Sequence, residues 1–216
     1  PLYSSAASDV YKRQFYITVM NENYSHPEMP PGVEEGIIKG MYLLKKNSTS
    51  KSKLVVQLLG SGTILREAIQ AANLLKQYNV VADIWSVTSF NELGREGDST
   101  SRWNMLHPQE KPRESYVEQC LRSSKGPVIA STDYMKSYAE QIRKYVGRGY
   151  TVLGTDGFGR SDTREKLRQF FEVDRYHIAV AALSALAKEN MIDVGVVGKA
   201  IDKFGIDPEK PNPVEV

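Results

Sequence analysis

The chain has 216 residues, enough for one large domain or two small ones. It carries 28 Lys and Arg against 26 Asp and Glu, and a net charge of +2 gives no reason to expect nucleic acid or an anionic membrane as a partner. A single cysteine and three histidines exclude a disulfide framework and a standard zinc site, and they fit a reducing cytoplasm. No apolar run approaches the roughly 18 residues of a membrane-spanning helix.

The first quarter of the chain shows little regular pattern. Residues 1–14 are small and polar, and we interpret them as a tail or an artefact outside the fold. Residues 15–20 are β-branched and aromatic and predict a strand, whereas three prolines in residues 21–32 predict a long loop. Residues 33–44 predict a short helix. Residues 45–53 are rich in Lys, Ser, Thr and Asn and predict a linker.

From residue 54 onward, apolar runs alternate with segments of helical spacing. This alternation predicts an α/β fold with a mostly parallel sheet and helices on both of its faces. A polar, glycine-containing loop is predicted after the second of these strands. The predicted strands are residues 54–59, 80–87, 127–130 and 150–153, and the predicted helices are residues 64–78, 102–106, 116–121, 134–146, 163–171, 175–188 and 194–204.

The loop after the last strand is the most informative stretch. Three glycines within residues 154–159 allow sharp turns, and strand-to-helix loops of this kind form the ligand crevices of open α/β sheets. The loop has no His or Cys, and no base stands beside its hydroxyls. Asp162 and Glu165 are three residues apart, as in a helix cap. Arg160 is not needed for capping, so pairing with Asp156 and pairing with an anionic partner both stay open.

Two further motifs allow a functional and a structural interpretation. Residues 60–62, with Asp83 on the next strand, resemble a dinucleotide fingerprint that lacks its third glycine. A tight turn is the favoured interpretation, and a nucleotide phosphate at the helix N-terminus is the alternative. Residues 131–133 either present a nucleophile or cap the following helix, and capping is favoured because no nucleophile-elbow glycines flank them. The residues alone therefore reveal no complete active site.

Six segments carry a family resemblance, in order along the chain. They are residues 21–24, 59–66, 85–90, 102–108, 131–136 and 154–165. Together they resemble the C-terminal end of the homodimeric bacterial pyruvate dehydrogenases, the thiamine-diphosphate-dependent decarboxylating components of the pyruvate dehydrogenase complex. The resemblance runs from about residue 15 to residue 213.

The resemblance implies a domain organisation. Residues 15–44 would end the preceding middle domain, residues 45–53 would be a linker, residues 54–206 a transketolase-type C-terminal domain, and residues 207–216 a tail. In the family, thiamine diphosphate and magnesium bind to the first two domains at a dimer interface. Neither the family's cofactor motif nor its activating glutamate occurs here. No catalytic, cofactor-binding or metal-binding residue is therefore expected in this chain.

The resemblance also implies a function. The parent oxidatively decarboxylates pyruvate and transfers the acetyl unit to lipoamide, and this fragment is expected to be architectural, cytoplasmic and inactive alone. Its expected partners are the rest of its protomer, a second protomer and the dihydrolipoamide acetyltransferase of the complex, with no nucleic acid and no membrane. Asp156, Phe158, Arg160 and Asp162 form the candidate interface loop. The alternative is a self-contained nucleotide-binding or protein-interaction domain.

Overall fold

The computed structural model of the chain describes residues 23–25 and 27–216. The predicted tail 1–14, the predicted strand 15–20 and His26 lie outside the described residues. The helices and strands are α1 (Glu34–Lys39), β1 (Met41–Lys45), β2 (Leu54–Ser61), α2 (Ile64–Leu75), a 3₁₀ turn (Lys76–Tyr78), β3 (Val80–Val87), α3 (Phe90–Leu106), α4 (Tyr116–Leu121), β4 (Val128–Ser131), α5 (Lys136–Glu140), α6 (Arg143–Val146), β5 (Tyr150–Leu153), α7 (Arg164–Phe170), α8 (Arg175–Lys188) and α9 (Val194–Phe204).

The five strands form one sheet in the order β1-β3-β2-β4-β5. β2 is parallel to β3 and to β4, and β4 is parallel to β5. Only β1 runs antiparallel, at the edge beside β3. Because three of the four pairings are parallel, the predicted α/β class with a mostly parallel sheet is confirmed.

Two apolar clusters cover the two faces of the sheet. On β3, Ala82 and Ile84 belong to the cluster with α2, α8 and α9, whereas Trp85 and Val87 belong to the cluster with helices α3 to α6. The side chains of a strand alternate between faces, so both faces of β3 are buried. This explains why the central strands are almost continuously apolar.

Helix α3 is the main departure from the sequence prediction, which placed a glycine-containing loop after β3. Ser89 caps the helix by accepting a hydrogen bond from the Glu92 backbone N–H at 3.1 Å. Gly94 and Gly97 are buried, and a Cβ on Gly97 would come within 2.3 Å of the Tyr145 ring. The glycines therefore allow close packing inside a helix. The loop prediction was wrong because it treated them as turn residues.

The segment 33–44 was predicted as one helix but divides into α1 and β1. Gly40 ends α1 in the left-handed conformation, with φ of 106°, and Met41 then lies opposite Val87 of β3. The helix prediction is therefore wrong from residue 41 onward. β1 shares a sheet with β2, although the sequence assigned these residues to a preceding domain. The position of the domain boundary stays a prediction.

The predicted helix 134–146 is also interrupted, and its predicted cap is wrong. The N-cap residue of α5 is Met135, which makes no side-chain capping bond. The Thr132 hydroxyl accepts the Tyr134 N–H at 3.2 Å, and the Tyr134 carbonyl accepts the Thr155 N–H at 2.9 Å. The neighbouring loop thus holds the chain outside a helix before α5. The predicted helix 64–78 corresponds to α2 together with the 3₁₀ turn that follows it, and the predicted helix 102–106 is only the end of α3. The other predicted elements from residue 54 onward agree with the structure to within one or two residues at their ends.

Candidate functional site

The glycine loop, residues 154–162, follows β5 at the carboxyl edge of the sheet. Thr155 donates its hydroxyl to the Asp133 carbonyl at 2.7 Å, which ties the loop to the segment after β4. The Asp156 carboxylate accepts the Lys136 backbone N–H at 2.9 Å and lies 3.8 Å from the Lys136 ammonium group. Residues after two neighbouring strands are therefore held together at this edge.

The C-terminal tail packs on the glycine loop from another side. Gly157 has a φ of 108°, and a Cβ at this position would lie 2.4 Å from the Pro213 carbonyl oxygen. Pro213 is itself buried. Lys210 secures the tail, because its ammonium group donates to the Phe170 carbonyl at 2.5 Å and pairs with the Glu172 carboxylate at 3.2 Å. The loop is thus fixed between the β4 segment and the tail.

The exposed part of the loop presents an aromatic ring and a cation. Phe158 is 79% exposed. The Arg160 guanidinium lies 5.2 Å from the centroid of the Phe170 ring, and within the part of the chain that the structure describes it makes no hydrogen bond or ion pair. Asp156 is bonded to Lys136 instead, so pairing of Arg160 with Asp156 is excluded in this conformation.

The N-cap residue of helix α7 is one residue further along the chain than Asp162, the residue predicted to cap it. Thr163 is the N-cap residue, and its hydroxyl accepts the Lys166 backbone N–H at 3.4 Å. Asp162 accepts the N–H of Thr163 at 2.7 Å. The capping arrangement predicted from Asp162 and Glu165 is therefore wrong, since a threonine hydroxyl takes that position.

The strands β2 and β4 mark the point where the strand order changes direction. From β2 the chain proceeds to β3 on one side of the sheet and later to β4 on the other. The loops after these strands are joined, because Ser61 donates its hydroxyl to the Thr132 oxygen at 2.8 Å and Thr63 donates to the Asp133 carboxylate at 3.2 Å. This is the location where open α/β sheets place their ligands.

Asp83 does not serve the glycine turn that the nucleotide-binding alternative requires. Strand register places Asp83 opposite Gln57 rather than opposite Gly60. Its buried carboxylate accepts the backbone N–H groups of Asn47 and Ser48, both at 2.8 Å, and the Ser48 hydroxyl at 2.6 Å. The carboxylate anchors the loop between β1 and β2. The nucleotide-binding alternative is therefore not favoured.

The described histidines and the cysteine have structural surroundings. His107 stacks on Trp103 with ring centroids 4.3 Å apart, and His177 contacts the Asp174 carboxylate that caps α8. Burial raises the pKa of the Cys120 thiol, which keeps it protonated and weakly nucleophilic. Among the described residues, no group of three or more His, Cys, Asp and Glu side chains is placed to hold a metal ion.

Residues 40–174 match the transketolase-like TK C-terminal domain, over more than half of the chain. The chain belongs to this family. This transketolase-type domain is 60% identical over 209 residues to the pyruvate dehydrogenase E1 component of Cupriavidus necator, and 62% identical over 203 residues to that of Pseudomonas aeruginosa. The matches cover 96% and 93% of this chain but only 23% of each relative. The predicted resemblance to a part of pyruvate dehydrogenase is confirmed.

The fold of this transketolase-type domain also occurs in a solved structure, the transketolase from Leishmania mexicana. The TM-score is 0.50 at 18% identity, over 71% of this chain and 19% of that one. This likeness supports the fold assignment. In the part of the chain that the structure describes, no helix is both long enough and apolar enough to cross a membrane.

Proposed function

We propose that the chain is the C-terminal domain of a pyruvate dehydrogenase decarboxylating component. In this proposal the parent oxidatively decarboxylates pyruvate and transfers the acetyl unit to lipoamide. The observation that carries the proposal is the 60% identity to a pyruvate dehydrogenase E1 component across 96% of the chain. The chain spans about a quarter of such relatives, so the activity is that of the whole protein and not of this part.

The proposed cofactors of the parent are thiamine diphosphate and magnesium. Thiamine diphosphate supplies carbanion stabilisation when it is bound. The residues described here do not fit a magnesium site, because no cluster of metal-ligating side chains occurs among them. We therefore assign both cofactors to the remainder of the parent, and no chemical step to this chain.

The role that we assign to the domain is architectural. Its proposed limits are residues 54–206, after an exit segment and a linker, with residues 207–216 as a tail. The tail packs on the glycine loop through the contact between Gly157 and Pro213, and this rigid loop is well suited to present an interface. The proposed partners are the rest of the protomer, the second protomer and the dihydrolipoamide acetyltransferase, in the cytoplasm.

The proposed interface loop consists of Asp156, Phe158, Arg160 and Asp162. In this proposal Asp156 and Asp162 fix the loop, because their carboxylates accept the backbone N–H groups of Lys136 and Thr163. Phe158 and Arg160 face outward, and the 79% exposed Phe158 ring is accessible to another surface. We propose that Phe158 is the residue most directly buried in the assembled parent.

A chimeric enzyme tests the proposed function. This chain replaces the matching segment of the Pseudomonas aeruginosa pyruvate dehydrogenase E1 component, with which it shares 62% identity. Pyruvate-dependent dye reduction is measured with thiamine diphosphate and magnesium, next to the unaltered enzyme and a variant that lacks the segment. We expect the chimera to retain activity and the deletion to lose it. A fully active deletion variant would refute an architectural role.

The interface loop is tested in the same full-length background. We expect Phe158→Ser and Arg160→Ala to weaken assembly or turnover, measured by dimer mass and by dye reduction. Lys199→Ala, a charge removal at an exposed position of helix α9, is the control. Unchanged mass and kinetics in both loop variants would exclude the loop as an interface.

A further inference from the structure

A crevice of about 290 Å³ opens at the carboxyl edge of the sheet, beside the point where the strand order changes direction. Its walls come from the segments after three strands: Thr63 after β2, Asp133 after β4, and the glycine loop after β5. Helix α7 also lines the crevice. This position agrees with the general rule for ligand sites in open α/β sheets.

One wall of the crevice is strongly basic. Arg160 lies on the glycine loop, and Arg164 and Arg168 stand four residues apart on α7, so that they share one helix face. Arg168 is partly engaged, since its guanidinium lies 3.4 Å from the Glu67 carboxylate. Arg160 contacts only an aromatic ring among the described residues. Asp133 is the one acidic residue among those that line the crevice, and Arg168 pairs with Glu67, which is not part of the lining. Arg160 is thus the cation of the crevice on which an anionic ligand can act most directly.

The rest of the crevice is apolar. Ile64 at the start of α2 and Val173 between α7 and α8, each 1% exposed, line it together with Leu167 of α7 and Phe171 directly after α7. A positive wall beside an apolar floor suits a ligand with an anionic end and a small apolar body. Guanidinium groups bind carboxylates and phosphates through paired hydrogen bonds.

The volume sets the size of that ligand. At about 290 Å³, the crevice lies at the lower end of the roughly 300–1,000 Å³ range of ligand pockets, which suits a small molecule. A dinucleotide is far larger than this space. We propose that the crevice is a binding site for a small organic oxyanion, a carboxylate or phosphate monoester with an apolar group, whose charged end binds Arg160.

Asp133 sets the orientation of the ligand. Its carboxylate accepts the Thr63 hydroxyl at 3.2 Å on the β2 side of the crevice. A bound oxyanion is repelled from that side and directed toward Arg160. Removing the charge of Asp133 therefore strengthens anion binding, whereas removing the charge of Arg160 weakens it. These opposite effects follow from the two charges, and the comparison of probes and the control variant below distinguish local binding from a general attraction of anions.

The test uses the full 216-residue chain and three probes: phenyl phosphate, inorganic phosphate and benzyl alcohol. Binding is followed by amide chemical shifts in NMR spectra at fixed ionic strength. We expect phenyl phosphate to shift the amides of Thr63, Thr155 and Leu167 saturably, and more tightly than either of the other probes. Arg160→Ala should weaken its affinity roughly tenfold, as expected for a lost charge-assisted contact. Asp133→Asn should raise the affinity.

Arg102→Ala is the matched control, because Arg102 is an exposed arginine on α3 for which the described residues provide no hydrogen bond or ion pair. Arg102→Ala should leave phenyl phosphate binding unchanged. Equal weakening by both arginine variants, equal binding of benzyl alcohol, or no saturable shift would each overturn the proposal. Thermal unfolding of each variant verifies that Arg160→Ala and Asp133→Asn remain folded. Because Phe158→Ser tests the interface without changing a charge, failure of either proposal is distinguishable from failure of the other.

Discussion

Gly157 and Pro213 are in direct backbone contact, although one lies in the loop after β5 and the other near the end of the chain. The space between them is too small for a side chain, since a Cβ on Gly157 would lie 2.4 Å from the Pro213 carbonyl oxygen. Gly157 also has a φ of 108°, which L-residues with side chains rarely adopt. The glycine loop and the tail therefore form one structural unit.

Replacing Gly157 with alanine tests this unit. Backbone strain and the lost contact with Pro213 should lower the free energy of unfolding by about 2 kcal/mol or more. Gly159→Ala is the control, because a Cβ at Gly159 meets no atom within 4 Å. Urea unfolding at neutral pH measures both. Equal stability of the two variants would contradict the close contact.

Replacing Asp83 with alanine should destabilise the fold without affecting any ligand. The substitution leaves the backbone N–H groups of Asn47 and Ser48 without their acceptor, so we expect a loss of about 2–3 kcal/mol. Ser48→Ala removes only the hydroxyl contact and should cost about 1 kcal/mol. Urea unfolding compares the two. A smaller effect for Asp83→Ala than for Ser48→Ala would show that the carboxylate does not anchor this loop.

Glu67 links helix α2 to the start of helix α8. Its side chain is 4% exposed and accepts the Arg175 Nε–H at 2.8 Å and the Arg175 backbone N–H at 3.0 Å. This hydrogen bonding raises the pKa of the Arg175 guanidinium. Arg175→Met leaves the buried Glu67 carboxylate poorly paired and should lower the free energy of unfolding by about 2 kcal/mol. This is less than the loss expected for a fully buried ion pair, because the Arg175 guanidinium is partly exposed to solvent.

A double-mutant cycle isolates this interaction. Glu67→Gln combined with Arg175→Met should be less destabilising than the sum of the two single changes, since the unpaired charge is gone. Additive effects of the two changes, measured by urea unfolding, would indicate that the pair does not interact.

Tyr150 should make the fold sensitive to alkaline pH. The pKa of its phenol is raised above the ordinary value of 10.0, mainly because the phenol is buried and secondly because Glu140 is negatively charged. The native state keeps this proton where the unfolded chain has released it, so stability is complete below about pH 10 and falls as the pH rises further. Tyr150→Phe removes this contribution. Between pH 10 and 11 the variant should lose about 1 kcal/mol less stability than the unchanged chain.

The same substitution has an opposite effect at neutral pH. The Tyr150 hydroxyl donates to the Ala139 carbonyl at 2.7 Å, and losing this bond should cost about 1 kcal/mol at pH 7. Tyr134→Phe, at a 61% exposed position, is the control and should follow the unchanged chain at both pH values. Urea unfolding from pH 7 to 11 gives the curves. Parallel curves for Tyr150→Phe and the unchanged chain above pH 10 would contradict the buried phenol.

Strong local patterns made most of the fold predictable. The apolar run of β3 and the spacing of α8 gave elements with the predicted bounds. Helix α3 was missed because Gly94 and Gly97 look like turn residues until Gln141 and Tyr145 are packed against them. β1 was missed because an edge strand of five residues has too few positions to show a period.

The candidate site was predictable in position but not in detail. The glycines and the preceding strand located the loop at the carboxyl edge of the sheet. The partners of Asp156 and Gly157 come from distant parts of the chain, Lys136 and Pro213, and no local pattern reveals such contacts. The crevice beside Arg160 likewise requires three separate segments to be brought together.

Split-enzyme complementation tests the central claim that this chain is an architectural part of a pyruvate dehydrogenase component and carries none of its catalytic groups. The chain is mixed with the Pseudomonas aeruginosa relative truncated before the matching segment, together with thiamine diphosphate and magnesium, and pyruvate-dependent dye reduction is recorded for the mixture and for each part. We predict turnover in the mixture and none from the chain alone. Turnover by the chain alone would contradict the claim.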